Sequence, residues 1–336
     1  MFNFSPAIPG RSDLDWCWYL RRHGEAGEAL ERVLHNIGVM DPGGWAAWGR
    51  SQLTATGAPV EMLFSSGQPD LQLTTEVADP ITDPTSRVAE VCRIMRSLGA
   101  KTPPSSLRDV ISAAQGTGPL RYGAWLGLRQ SSDGLHCTLS AELPATASDL
   151  SDLICSDGGC PSITDLGDNT KATMVSFDGT TGQVTLHFEM QNATRRCLPD
   201  LAKRAQVCPE VLSMTIDSIT DRPASTAALP VSTLGFSYTI GGAGALPILT
   251  LSLSAIDAFG SDAKTARRIK RFDGQRLMGY GALVDNLPLM SGGQCHHGRI
   301  GLTARVNAAP QLSIGVAAPW SCLFDDNSAK DPIPIN

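Results

Sequence analysis

Five stretches of the chain alternate apolar and polar residues with a period of two, the pattern of a strand with one face in a core and the other in a polar setting. Leu71 and Leu73 stand against Gln72, Thr74 and Glu76. Leu135, Cys137, Leu139 and Ala141 stand against His136, Thr138, Ser140 and Glu142, and Val184, Leu186 and Phe188 against Gln183, Thr185, His187 and Glu189. Leu249, Leu251 and Leu253 oppose Thr250, Ser252 and Ser254, and Leu312 and Ile314 oppose Gln311 and Ser313. Each stretch follows another short apolar run and a turn sequence (SSGQ, SSDG, DGTTG, GGAG or NAAP) and so reads as the second strand of a hairpin. The hairpins fall at 58–77, 121–143, 171–190, 233–256 and 299–320, with starts roughly 50 to 65 residues apart, which is an internal repeat.

Helix-like sequence separates the hairpins. The stretch 83–99 has Asp83 before Pro84 as a start, apolar residues three and four apart, and Gly99 as a stop. The stretches 145–154, 192–208 and 260–272 follow other hairpins, and 20–38 reads as a further helix in an N-terminal helical segment of about residues 12–50. Helices that cover the apolar strand faces leave the polar faces to turn inward. The expected fold class is therefore α+β: a ten-stranded antiparallel barrel of five ββα-type repeats, with a solvated lumen, a ring of helices outside and no free sheet edge. A single domain over 1–336 is expected.

Composition narrows the function classes. Of 336 residues, 42% are hydrophobic and 18% charged, below the usual quarter, and 27 Lys and Arg against 33 Asp and Glu give a net charge of −6. An acidic chain without a basic tract is a poor nucleic-acid binder. No apolar run reaches the length of a membrane span, and the start MFNFSPAIPG lacks a secretory signal, so a soluble, cytoplasmic protein is expected, with no membrane partner. The nine cysteines are irregularly spaced. Cys155 and Cys160 flank SDGG without a partner pair, so no metal is expected, and the cysteines read as small buried hydrophobes or free thiols. Cys295-His296-His297 could line a site, but reads more simply as a loop with two ordinary histidines.

The repeat, with GAPVEMLFSSGQPDLQLTTEVADP as its first hairpin and the 233–256 hairpin with its following helix as its fourth, resembles the ABBA aromatic prenyltransferases, in particular the dimethylallyltryptophan-synthase-like branch. The resemblance runs from about residue 12 to 322 and implies a five-repeat prenyltransferase (PT) barrel with its active site inside. It implies transfer of an allylic prenyl group to an indole or related ring in natural-product biosynthesis, from dimethylallyl diphosphate, with Mg²⁺ as a cofactor if a diphosphate is used. It further implies that Glu61, in PVEM, hydrogen-bonds the indole N–H and activates the ring.

The sequence departs from that family on the cations. Lys and Arg are absent from all five second strands, where Gln72, Thr138, Thr185, Thr250 and Ser313 stand instead. Arg129, Lys171, Arg299 and Arg305, on or beside first strands, remain as candidates for a reduced diphosphate site. Of the four tyrosines, Tyr122 and Tyr238 fall in strands. The expected substrate-binding set is Trp125, Gln72, Thr74, Glu76, Thr138, Thr185, Tyr238, Thr250, Ser252 and Thr303. Three functions stay open. One is the prenyltransferase. The second is a PT-barrel enzyme without diphosphate chemistry, such as a cyclase acting on an aromatic or alkaloid-like substrate, with His136, His187, Glu76, Glu142 and Glu189 as proton-transfer candidates. The third is a small-molecule binding protein without catalysis. A monomer with a small aromatic partner is expected in each case.

Overall fold

The computed structural model describes residues 24–37, 51–147, 169–221, 228–241, 246–273, 276–286 and 296–317. Ten strands run in chain order: β1 (Val60–Ser65), β2 (Gln68–Thr75), β3 (Ala124–Ser131), β4 (Gly134–Glu142), β5 (Thr170–Asp178), β6 (Val184–Gln191), β7 (Thr233–Ile240), β8 (Ile248–Ser254), β9 (His297–Ala304) and β10 (Gln311–Ala317). Each pairs antiparallel with its chain neighbours, and β1 pairs with β10 from Glu61–Ala317 to Ser65–Ser313, closing the barrel. The five expected hairpins are the five consecutive strand pairs. Closure supplies every strand with two partners, so no row of backbone N–H groups is left at an edge.

Alternation decides the faces. Val60, Met62 and Phe64 of β1, Leu186 and Phe188 of β6, and Leu249, Leu251 and Leu253 of β8 are buried on the outer side. They belong to a continuous apolar layer shared with the helices. These are α1 (Gly24–Asn36), α2 (Arg87–Ser97), α3 (Ser105–Gln115), α4 (Leu198–Arg204), α5 (Pro209–Thr220), α6 (Ala255–Phe259), α7 (Asp262–Asp273) and α8 (Tyr280–Asn286). Leu30 and Leu34 of α1, Val91 and Met95 of α2, and Leu212 and Ile216 of α5 are their fully buried anchors.

The expected start and stop of 83–99 are both in use. Asp83 Oδ1 accepts the Thr85 N–H at 3.0 Å, and Gly99 takes the left-handed φ of +76° that ends the turn after α2. Helices α3, α5, α6 and α8 lie outside the stretches expected from sequence. Most of 145–154, and Gly38 at the end of 20–38, lie outside the described residues.

The register shifts at three places: in the β1–β2 pairing between Leu63 and Ser65, in β5 between Ala172 and Met174, and in the β9–β10 pairing between Ile314 and Val316. On β1, Glu61, Leu63 and Ser65 still alternate toward the inside, whereas the bulges of β5 and β9 change which residues face inward and shape the site below. Among the described residues, no helix is long and apolar enough to cross a membrane.

Candidate active site

The inward strand faces enclose a cavity of about 1340 Å³. Much of its wall is hydroxyl. Thr185 and Thr239 bond across β6–β7 at 2.8 Å, Thr250 and Thr303 across β8–β9 at 3.0 Å, and Ser140 and Ser176 across β4–β5 at 2.8 Å. A wall whose hydroxyls satisfy one another is polar without being charged, and can hold a neutral ring.

Glu61 projects into this cavity from β1. It sits over two glycines. A methyl group on Gly298 would come within 2.7 Å of Glu61 Oε1, and one on Gly315 closer still, so the carboxylate occupies space that only glycine leaves open. Burial pushes its pKa up to about 7, partly offset by the nearby Arg299 guanidinium. On β6, five strands away in a ring of ten, His187 faces it from the opposite wall. Burial holds His187 down at about 4, with Arg299 adding to the effect, so its ring is neutral. His187 Nε2 lies 3.0 Å from Ser176 Oγ, which continues to Ser140.

The cations do not gather around one anion's position. Arg299 Nη2 donates to Glu189 Oε1 at 3.0 Å, and Lys171 Nζ lies 3.6 Å from Glu189 Oε2. Lys171 faces inward because the β5 bulge shifts the alternation of that strand. Arg305 follows β9 six residues beyond Arg299, about 20 Å away along an extended chain. Arg129, on β3, stands four strands round the wall from β9. It donates to His136 Nδ1 at 3.2 Å. A guanidinium only donates, so Nδ1 accepts and the ring proton sits on Nε2, which faces Asp133 Oδ1 at 3.1 Å and Ser131 Oγ at 2.6 Å. His136 is thereby latched to the β3–β4 turn, and Ser131 has no free imidazole base.

Glu61, Gln72, Thr74, Trp125, Arg129, His136, Thr138, Lys171, Thr185, His187, Thr250, Arg299, Thr303, Arg305 and Ser313 all line the one cavity. Trp125 stacks on Tyr122 with centroids 5.4 Å apart, and its buried indole nitrogen has no hydrogen-bond partner among the described residues. Ser252 shares the β8 face of Thr250 and Ser254, but is packed against Gly235 and does not line the cavity.

Two expected site residues lie elsewhere. Tyr238 is on the outer face of β7, where its hydroxyl donates to the Leu201 carbonyl at 3.0 Å and its ring meets Phe188 and Phe236. It has the parity of Leu234 and Phe236, the apolar side of that strand. Glu76 lies just past the end of β2, so strand alternation no longer governs it. It is fully buried, accepts from Ser51 Oγ at 2.9 Å and Gln52 N–H at 3.2 Å, and is pushed up to about 7 by burial. Tyr122 precedes β3 and is likewise outside the lumen, its hydroxyl bound to the backbone of Val77 and Ala78. Glu142 lines the cavity, but its carboxylate accepts the backbone N–H groups of Arg121, Tyr122 and Gly123 at 2.9–3.0 Å, which makes it a cap for that turn.

His296 and His297, read from sequence as ordinary loop histidines, stand at the start of β9, where both are buried and both border the cavity.

The sequence matches no protein-family model, and no curated protein matches it. Its fold has close counterparts. The crystal structure of 5-dimethylallyltryptophan synthase from Streptomyces coelicolor superposes with a TM-score of 0.71 at 14% identity, covering 92% of this chain and 97% of that one. The 6-dimethylallyltryptophan synthase from Micromonospora olivasterospora, in complex with DMASPP and Trp, gives 0.68 at 16% identity, covering 91% and 95%. AnaPT from Neosartorya fischeri gives 0.64 at 10% identity, covering 90% and 91%. At these identities the likeness is one of architecture. The closed ring of ten antiparallel strands with helices outside is the ABBA, or PT-barrel, fold that these prenyltransferases share with this chain.

Proposed function

We propose that the protein is an enzyme that holds an aromatic substrate in the barrel lumen, with a ring N–H directed at Glu61, and acts on it by proton transfer as a cyclase or related acid/base catalyst, without ionising an allylic diphosphate. The observation that carries this reading is the distribution of the lumenal cations. A diphosphate bears several negative charges, and desolvating it demands converging donors. Among the described residues, Arg299 and Lys171 meet only across Glu189, which cancels one of their charges, while Arg129 and Arg305 stand apart from them.

Glu61 is suited to the work proposed for it. A carboxyl that titrates near neutrality can take a proton and return it within one turnover. Accepting the substrate N–H places negative charge beside the ring and makes its carbon atoms more nucleophilic. When one of them attacks an iminium carbon of the same molecule, the C=N π pair passes to that nitrogen, and the positive charge left on the ring is discharged by loss of the N–H proton to Glu61. Arg299 steadies the ionised carboxylate. The neutral His187, backed by Ser176 and Ser140, offers the opposite wall a hydrogen-bonding surface and a path for protons.

A second reading, prenyl transfer to an indole, is favoured by the shared fold, and by Glu61 standing where the family resemblance puts the group that receives the indole N–H. In that reading Arg299 and Lys171 would exchange Glu189 for the diphosphate.

The proposed role of Glu61 is tested by calorimetric titration with indole across pH. The ionised form is the acceptor, and it is the form lost as pH falls through about 7, so affinity should be about tenfold weaker at pH 6 than at pH 8. His187 protonates only near 4, outside that range. A flat profile over this range would contradict the assignment.

A further inference from the structure

We propose that Asp262, acting through His297 and Tyr280, is a positioning residue for Glu61: it holds the start of β9 in a bulged register, and that register alone leaves open the seat in which the Glu61 carboxylate stands. The proposal deepens the reading of Glu61 given above and rests on it for its bearing on activity.

The start of β9 has two registers open to it. Ile300 pairs with Ile314, so an unbroken ladder would set Arg299 against Gly315, Gly298 against Val316 and His297 against Ala317. The observed ladder pairs His297 with Val316 instead, and Gly298 and Arg299 together oppose Gly315. A slip of one residue turns a side chain to the opposite face. Ala317 pairs with Glu61 on its other side and shares its row. An unbroken ladder would therefore bring the His297 imidazole into that row, beside the Glu61 carboxylate, and turn Gly298 to the outer face with Val316. The bulge does the reverse. His297 faces outward, and Gly298 comes so near Glu61 that a methyl group on it would lie 2.7 Å from Oε1. Neither Gly298 nor Gly315 has a side chain to favour one register over the other.

Asp262 makes the choice. It is the first residue of α7, a helix anchored by the fully buried Thr265 and Ile269. Its carboxylate accepts the N–H groups of His296 at 2.7 Å and His297 at 3.0 Å, and the His297 Nδ1 proton at 2.5 Å. That tautomer leaves Nε2 to meet the Tyr280 hydroxyl of α8 at 2.9 Å. The cluster is dry: the His297 side chain is 1% exposed, that of Asp262 12%, and Tyr280 is fully buried. Sliding β9 into the unbroken ladder would pull His297 out of this cluster and strip a buried carboxylate of donors, which is unfavourable in a dry site.

The test follows the ¹³C-labelled glutamate carboxyl groups of the ligand-free protein by NMR across pH, with the Glu61 signal assigned by its loss in Glu61→Gln. In the parent protein it should titrate at about 7, because burial in the seat raises it. Arg299 of β9 is the charged group that faces it, Thr74 of β2 and Ala317 of β10 carry no charge, and His187 of β6 is neutral in this range. In Asp262→Asn, whose amide nitrogen cannot accept, the midpoint should fall by about one pH unit or more as the carboxylate leaves its seat for the water of the lumen. Tyr280→Phe removes no charge and decides the matter should Asp262→Asn fail to fold; its midpoint should fall as well, by less. Arg87→Met, weakened at the β2–α2 connection, should keep the parent midpoint, which separates positioning from general loosening. An unmoved midpoint in the folded Asp262 and Tyr280 variants, or an equal fall in Arg87→Met, refutes the proposal. A parent midpoint near the ordinary 4.5 removes the seat and the proposal with it. Should the proposal fail, indole affinity that follows the parent midpoint leaves the reading of Glu61 standing. Affinity indifferent to that midpoint removes the reading, while a midpoint moved in the two variants still upholds the role of Asp262.

Discussion

Glu61→Gln should slow protein-promoted deuterium exchange at the C3 position of indole by about 10²- to 10³-fold, the usual cost of removing a positioned general base. The amide keeps the shape of the side chain and still fits above Gly298 and Gly315, so the loss reports proton transfer and not packing. Stability should not fall. Burial raises the Glu61 pKa in the folded chain from 4.5 to about 7, so the folded state holds a proton there that the unfolded state releases over that window. The stabilising form is present at low pH and is lost as pH rises through 7. At pH 8 the variant should therefore unfold at the same denaturant concentration as the parent or a higher one. Exchange followed by proton NMR in D₂O, alongside urea unfolding, checks both statements. Unchanged exchange in a folded variant would remove Glu61 from the chemistry.

Arg87→Met should have the largest effect on stability, about 4 kcal/mol. Arg87 is 1% exposed and forms no salt bridge among the described residues. Its guanidinium instead ties four backbone carbonyls together: Tyr122 at 2.6 Å, Asp79 at 2.8 Å, Pro80 at 3.1 Å and Thr82 at 2.8 Å. It also lies 3.5 Å from the centroid of the Tyr122 ring. Methionine fills much of the volume but leaves those carbonyls without a donor. Lysine cannot replace the planar fork either, so Arg87→Lys should recover little. The segment held this way joins β2 to α2 and sets the entry to β3, on which Trp125 and Arg129 depend. Urea unfolding measures the loss, and a cost below about 1 kcal/mol would contradict the assigned role.

How much of this was legible in the sequence differs from element to element. The hairpins were, because each second strand keeps strict alternation and the turns between strands carry Gly, Asn or Asp. The inward direction of His136 and His187 followed from the same alternation, and that of Glu61 from the family resemblance. Tyr238 was misplaced although the signal was present: it shares parity with Leu234, Phe236 and Ile240, and its hydroxyl needed only the Leu201 carbonyl to be buried. Glu76 was misplaced because β2 ends one residue earlier, a boundary that alternation does not mark. His296 was weighed and set aside as an ordinary loop histidine, and its orientation was hidden for a stronger reason. A bulge changes the parity of a strand, and it is specified by its partner, here through Gly315 on a strand that follows in sequence. No reading of 295–300 alone contains that information. The shortage of basic residues on the second strands was readable from the chain, but that Arg299 and Lys171 would share Glu189 was not, since the three residues come together only when β9, β5 and β6 join one ring.

The central claim, a PT barrel whose lumen takes a neutral aromatic and not an allylic diphosphate, is most directly tested by calorimetric titration of the folded protein with dimethylallyl thiolodiphosphate, with and without Mg²⁺. The account predicts no saturable heat up to about 1 mM ligand. Saturable binding in the micromolar range, weakened when Arg299 or Lys171 is replaced, would contradict it and establish the diphosphate site that the fold's other members lead one to expect.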